Sequence, residues 1–185
     1  MRLTTKRLIL RQVTKKDISD IVENIDDLNV SKWLLVVPYP YKQKDAIVWI
    51  NHQKKEAEDK PRTGYQFGIE LKSEKNIIGG CGLKKVDRVQ GTAEVGYWLG
   101  QKYWKQGYGS EALEALLDLA FKKLKLRRIE AHVFKGNPSS GKLLEKYNFK
   151  LEGMKRKAVK SKANGKIYDS YIYGLLREDY RPRKR

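Results

Sequence analysis

The stretch from Ala93 to Phe134 constrains this chain more than any other. Residues 93–99 (AEVGYWL) alternate as a half-buried strand, and residues 103–113 (YWKQGYGSEAL) carry two glycines one residue apart. Leu113, Leu116, Leu117, Ala120, Phe121 and Leu124 then recur at the spacing of a helix from Ser110 to Leu124 with one apolar face. Glu111 and Glu114 lie early in that helix and Lys122, Lys123 and Lys125 late, the arrangement a helix dipole favours. Arg128 to Phe134 reads as a second strand. Strand, helix and strand in that order predict a right-handed crossover joining two parallel neighbours of one sheet.

The flanking segments supply the rest of an α/β chain with one mixed, mostly antiparallel central sheet. Arg2 to Gln12 reads as a strand, and Thr14 to Asp27 as a helix opened by an approximate capping box of Thr14 and Asp17. Trp33 to Tyr41 is aromatic but interrupted by Pro38 and Pro40, which suits a loop. A helix follows from Gln43 to Asp59, with Ala46, Ile47, Ile50 and Lys54 along one side. Tyr65–Leu71 and Asn76–Val86 form a hairpin about residues 72–75. Ser139–Lys146 reads as a helix and Asn148–Glu152 as a short strand. Lys155–Lys162 and Lys166–Leu175 make a last hairpin about Ala163-Asn164-Gly165, because Asn-Gly tolerates positive φ. With no repeat and no linker-like tract, one domain over 1–185 is expected, with a basic C-terminal tail from about 177.

Composition narrows the function classes. Cys81 is the only cysteine, and His52 and His132 lie far apart, so no metal site is expected and both histidines read as ordinary structural residues. No apolar run is long enough to cross a bilayer and no signal peptide is apparent, which predicts a cytoplasmic protein with no membrane partner. Forty Lys+Arg against 22 Asp+Glu give a formal +18, a field that attracts polyanions and allows weak association with a ribosome or RNA. The excess is spread along the chain, so solvated faces explain most of it.

The glycine pair has a more specific use. Gly107 and Gly109 let the backbone turn sharply so that its N–H groups, with those of the following helix start, converge on one concavity. Such a nest binds phosphate. It is neither the phosphate loop ending in Gly-Lys-Ser/Thr nor the three-glycine dinucleotide fingerprint. A bare Gly-x-Gly more often marks a tight turn, so spacing alone leaves both readings open.

Five segments taken together and in order resemble the GNAT superfamily of N-acetyltransferases, and within it the ribosomal-protein N-terminal acetyltransferase branch. They are RLTTKRLILRQVTKKDISDI, AEVGYWLG, YWKQGYGSEAL, NPSSGKLLEKYNFKLEG and NGKIYDSYIYGLL, which cover nearly the whole chain. The resemblance implies acetyl-CoA as co-substrate and a sheet whose parallel strands, around Glu94–Leu99 and over Arg128–Phe134, splay apart. It implies pantetheine along Val95, Gly96, Tyr97, Trp98 and Leu99, the pyrophosphate on the amides of Gln106, Gly107, Tyr108, Gly109 and Ser110, and Asn137 hydrogen-bonded to the pantetheine arm. Two positions depart from the superfamily pattern. Trp104 replaces the usual Gln or Arg, and Leu144 replaces the tyrosine that protonates the leaving thiolate, for which this branch suggests Ser140.

The acceptor chemistry can be bounded independently. An α-amine with pKa near 8 costs about 1.4 kcal/mol to deprotonate at pH 7, and a lysine near 10.4 about 4.6 kcal/mol. A carboxylate acting through water could therefore suffice for an α-amine; Glu94 is the first candidate and Glu70 the second. A backbone N–H near Val95 or Gly96, where the glycine could mark a bulge, would hold the oxyanion. Ser140 reads equally as acid or helix cap, and Cys81 as an inert buried thiol. Trp33, Tyr39 and Tyr41 either frame the acceptor opening or cover the core. The leading expectation is acetylation of a protein or peptide N-terminal α-amine. Its alternatives are a small amine such as an aminoglycoside, polyamine or amino acid, and, from another class, a CoA-responsive or ribosome-associated binding protein with little catalysis. A monomer and a homodimer are both compatible with the sequence.

Overall fold

Apolar residues at every second position decide the central hairpin. Tyr65, Phe67, Ile69 and Leu71 of one strand are all buried, and the next strand, buried over most of its length, pairs with it antiparallel. In the computed structural model, which describes residues 1–182, the strands are β1 (Leu3–Thr4), β2 (Leu8–Arg11), β3 (Tyr65–Leu71), β4 (Asn76–Asp87), β5 (Thr92–Leu99), β6 (Arg128–Phe134), β7 (Lys150–Lys160) and β8 (Ile167–Leu176). They form one sheet in the order β1-β2-β3-β4-β5-β6-β8-β7. Every neighbouring pair is antiparallel except β5 and β6, which run parallel as the crossover predicts.

Helices cover both faces. They are α1 (Ile18–Ile25), α2 (Leu28–Ser31), α3 (Gln43–Glu58), α4 (Tyr108–Asp118) and α5 (Pro138–Glu145), and α4 ends in a wider π turn over Leu119–Lys123. The larger core packs Leu113, Leu116 and Leu117 of α4 against Val95 of β5 and Ile129, Ala131 and Val133 of β6. On the opposite face Ile21 and Ile25 of α1 and Ala46 and Ile50 of α3 pack with Ile77. The α3 stripe is Ala46, Ile50 and Gln53, spaced i, i+4, i+7; Ile47 and Lys54, expected beside them, are rotated outward and exposed.

Three elements differ from the sequence reading for local reasons. The expected strand 2–12 is a tight β1–β2 hairpin, closed by Thr5, whose N–H donates to the Leu8 carbonyl and whose hydroxyl accepts from the Leu8 N–H (2.9 Å). The helix over 14–27 starts as a 3-10 turn and ends at Ile25, with α2 as a separate turn. The Asp17 carboxylate accepts from the Thr14 N–H (2.7 Å) and from the Arg11 guanidinium, which also holds Glu70. Burial pushes the Asp17 pKa up, but these hydrogen bonds outweigh it and hold the group below its ordinary value. The two strands expected over 148–162 are the single strand β7, irregular between Lys155 and Val159, and Asn164-Gly165 lies in the longer loop 161–166. Tyr180 of the basic tail is buried and donates its hydroxyl to Asp118 (2.9 Å), while residues 183–185 of that tail lie outside the described residues.

Candidate active site

The parallel pair parts early. β5 and β6 are in register at Thr92↔Arg128, Ala93↔Ile129 and Glu94↔Glu130, and their pairing stops there. β4 goes on holding β5 as far as Gly79↔Leu99, and β8 holds β6 as far as Phe134↔Ser170. Val95–Leu99 and Ala131–Phe134 therefore each keep one bonded edge and turn the other to a widening gap. Gly96, which could have marked a bulge, is instead in regular register with Gly82. The irregularity falls on β4 between Lys84 and Asp87, where Lys85 has φ +49°. Gly96 has another use: a Cβ placed there would meet no atom within 4 Å, and strand alternation puts it on the face of Glu94 and Trp98. The missing side chain leaves that face of the fork open.

Beyond the fork lies the glycine turn. Gly107 sits at φ +84° and caps α4, and the first helical bond runs from the Glu111 N–H to the Gly107 carbonyl (3.1 Å). The N–H groups of 107–110 thus precede the helical ladder at the positive end of α4. The N-terminal hairpin braces the turn from behind. The Arg7 guanidinium donates to the Gln106 carbonyl (3.0 Å), lies 4.4 Å from the Tyr108 ring centroid and bonds Glu111 (2.8 Å). Glu111 accepts further from the Thr5 hydroxyl (2.6 Å) and the Arg7 N–H (2.7 Å). Trp104 Nε1 donates to the Leu99 carbonyl (2.8 Å), tying the turn to the end of β5. In front, Lys146 Nζ donates to Ser110 Oγ (2.9 Å), which sets a cation beside the helix start.

Burial works to raise the Glu111 pKa, but the bonds from Thr5 and Arg7 prevail and the folded value lies below the ordinary one of 4.5. A depressed carboxylate contributes stability above its unfolded pKa and loses it as pH falls through the folded value. Glu111→Gln should therefore cost about 2 kcal/mol at pH 7. The difference from wild type should shrink on acidification below about pH 4.5. Urea unfolding at several pH values checks this; a constant difference would show that the ionised carboxylate is not what braces the turn.

Midway along the parted segment, the Tyr97 hydroxyl lies 3.0 Å from Ser140 Oγ and donates to the Ser140 carbonyl (3.3 Å). Burial pushes the Tyr97 pKa up to about 12, with the Ser140 bond acting the other way, so this hydroxyl keeps its proton near neutrality. The α5 cap is Asn137, whose Oδ1 accepts from the Ser140 N–H (3.3 Å). Ser140 Oγ thus faces Tyr97 across the gap, and Asn137 retains its Nδ2 donors. Eight residues of α5 span ~12 Å, leading from this hydroxyl pair toward Lys146 and the glycine turn. Leu144 is buried core and Tyr147 donates to the Ser110 carbonyl (2.8 Å).

Glu94 stands on the last paired rung. Its Oε1 accepts from Lys85 Nζ (2.7 Å), and His132 Nε2 lies 3.8 Å away. Glu70 is spent on Arg11, two strands from the fork. Burial pushes the Cys81 thiol up, which keeps it an unreactive thiol. Trp98 packs edge-on against Trp49 (6.3 Å between centroids) in the smaller core, so only its backbone is placed for a ligand. Tyr41 is 5% exposed within that same core, which places it among the packing residues rather than at an opening. Tyr39 is exposed, and Trp33 lies against Tyr168 (5.8 Å), which in turn meets Phe134 (5.4 Å). Sequence reasoning singled out neither Arg7, Thr5, Lys85, Lys146 nor the closeness of His132 to Glu94; these meetings depend on contacts between segments distant in the chain.

A sheet that forks after a short parallel register, beside a glycine-capped helix start and a cation, fits a long thin ligand carrying an anionic diphosphate. That is the framework of a CoA-dependent acyltransferase. Residues 7–150 match the acetyltransferase (GNAT) domain, and the chain belongs to that family as an acetyl-CoA-dependent N-acetyltransferase. It is similar to the uncharacterized N-acetyltransferase p20 of Bacillus licheniformis, with 35% identity over 180 residues covering 96% of this chain and 97% of that protein. It is also similar to the [ribosomal protein uS5]-alanine N-acetyltransferase of Escherichia coli, at 28% identity over 98% of this chain and 94% of that one. The structure of a GNAT-family acetyltransferase from Bacillus anthracis superposes with a TM-score of 0.80 at 27% identity, covering 96% of this chain and 99% of that chain.

Proposed function

We propose that this enzyme transfers the acetyl group to the N-terminal α-amine of a protein or peptide in the cytoplasm. The observation that carries the reading is Glu94: a carboxylate on the last rung before the strands part, beside the open position at Gly96, with its oxygen already engaged by an ammonium group. An acceptor ammonium entering on that face meets a counter-charge. An α-amine then needs only about 1.4 kcal/mol to reach its neutral form at pH 7. The acetyl-CoA diphosphate would rest on the amides of 107–110 and Lys146, with pantetheine along the free edge of β5 within reach of Asn137. The bound thioester supplies an activated acetyl group. Ser140, whose hydroxyl contacts that of Tyr97, would return a proton to the departing sulfur. The net charge of +18 favours an encounter with an acceptor displayed on a ribosome, a setting that the name of the uS5-alanine relative also suggests.

Purified protein should release CoA thiol from acetyl-CoA only when an amine is present, and faster with peptides bearing a free N-terminus than with N-blocked lysine peptides or polyamines. Glu94→Gln should lower turnover about tenfold or more with CoA affinity unchanged. Stabilisation by CoA with no turnover on any amine would replace this reading with that of a CoA-responsive binding protein, and a faster small amine would reassign the acceptor.

A further inference from the structure

We infer that His132 is the group that takes the proton from the acceptor, with Glu94 holding the ammonium and positioning the imidazole; this rests on the acetyl-transfer reading above. His132 lies on β6 two residues past the last paired rung, so it belongs to the parted segment. Strand alternation puts it on the same face as Glu130, and the parallel register puts Glu130 beside Glu94. Its Nε2 is 3.8 Å from Glu94 Oε1, too long for a direct hydrogen bond but close enough for one ammonium nitrogen to reach both with separate protons. The ring is one-third exposed, and its backbone is fixed by pairing with Ile172 of β8.

The charge arrangement separates the two roles. Glu94 already accepts from Lys85, reached from the irregular turn of β4. A carboxylate that already holds one ammonium group in an ion pair is a ready seat for another. Imidazoles as a class protonate about two units above carboxylates, closer to an α-amine, and so suit the transfer better. The other charged groups on this face include Lys84, cross-strand from Glu94, and the cluster of Arg128 with Glu130 (3.0 Å) and Glu152. The arriving ammonium exchanges with Lys85 at Glu94 and gives one proton to His132 Nε2. The freed nitrogen lone pair forms the C–N bond and the C–S bond breaks. The sulfur takes a proton from Ser140, which the second nitrogen proton replaces. Amide, CoA thiol and one proton released through His132 complete the balance.

Two variants and one spectrum test this. His132→Ala should lower kcat about a hundredfold with the KM for acetyl-CoA within about twofold, and added imidazole should restore part of the rate. His132→Gln should be equally slow and recover less, because its own side chain fills the space. Without acetyl-CoA, an acceptor peptide should shift the ring resonances of His132 but not of His52, and the shift should vanish in Glu94→Gln. Full turnover in His132→Ala, or a His132 signal unmoved by the acceptor, overturns the inference while acetyl transfer stands. No acceptor-dependent thiol release in the wild type removes the acetyl-transfer reading and the inference together.

Discussion

Gly107→Val is expected to weaken CoA binding about a hundredfold and to lower stability by about 1–2 kcal/mol. Gly107 sits at φ +84°, where a β-branched residue is strongly disfavoured, and the position of its absent Cβ lies 3.3 Å from Arg7 Nη2. The chain can relieve the strain only by rotating the peptides on either side. That redirects the amides of 107 and 108, and losing two hydrogen bonds to a charged group is worth about 3 kcal/mol. Calorimetric titration with CoA measures the first effect and thermal unfolding the second. Gly165→Ala is the control, because Gly165 also has positive φ (+69°) but faces open space in the β7–β8 loop. It should lower stability and leave CoA affinity alone. Unchanged affinity in Gly107→Val would separate the turn from the cofactor.

Gly96→Leu should do the reverse: a protein that folds and binds CoA normally but turns over an amine at least about a hundredfold more slowly. Nothing lies within 4 Å of the added Cβ, so the side chain starts into open space. The same empty space, between Glu94 and the β6 side of the fork, is where the proposed acceptor would enter. Melting temperature and CoA affinity near wild type, with acceptor-dependent thiol release nearly lost, is the expected pattern. A fully active Gly96→Leu would mean that the acceptor reaches the thioester from another side.

What was legible in the sequence follows the range of the interactions. β3 and β6 fall where alternation puts them, and α4 starts two residues from its expected position, because period and turn chemistry are local signals. The splay of β5 from β6 came from family resemblance, since no local pattern says where pairing stops. The β1–β2 hairpin went unread because its turn, Thr5-Lys6-Arg7, carries no glycine, proline or asparagine and is closed instead by the Thr5 side chain on the Leu8 N–H. Tyr41, beside Pro40, could be read either as framing the acceptor opening or as covering the core, and the chain folds it inward against α1 and α3. The partners of Glu94 lie farther away still. Lys85 arrives through a bulged register on β4, and His132 through a parallel crossover, so neither could be assigned from spacing.

Backbone amide spectra recorded while CoA is titrated in test most directly whether fork and glycine turn together form the cofactor site. The N–H signals of 107–110 and those along the free edge of 95–99 should move and saturate at one common affinity, while those of α1 and β7 stay in place. Saturable binding with the 107–110 signals unmoved would contradict it.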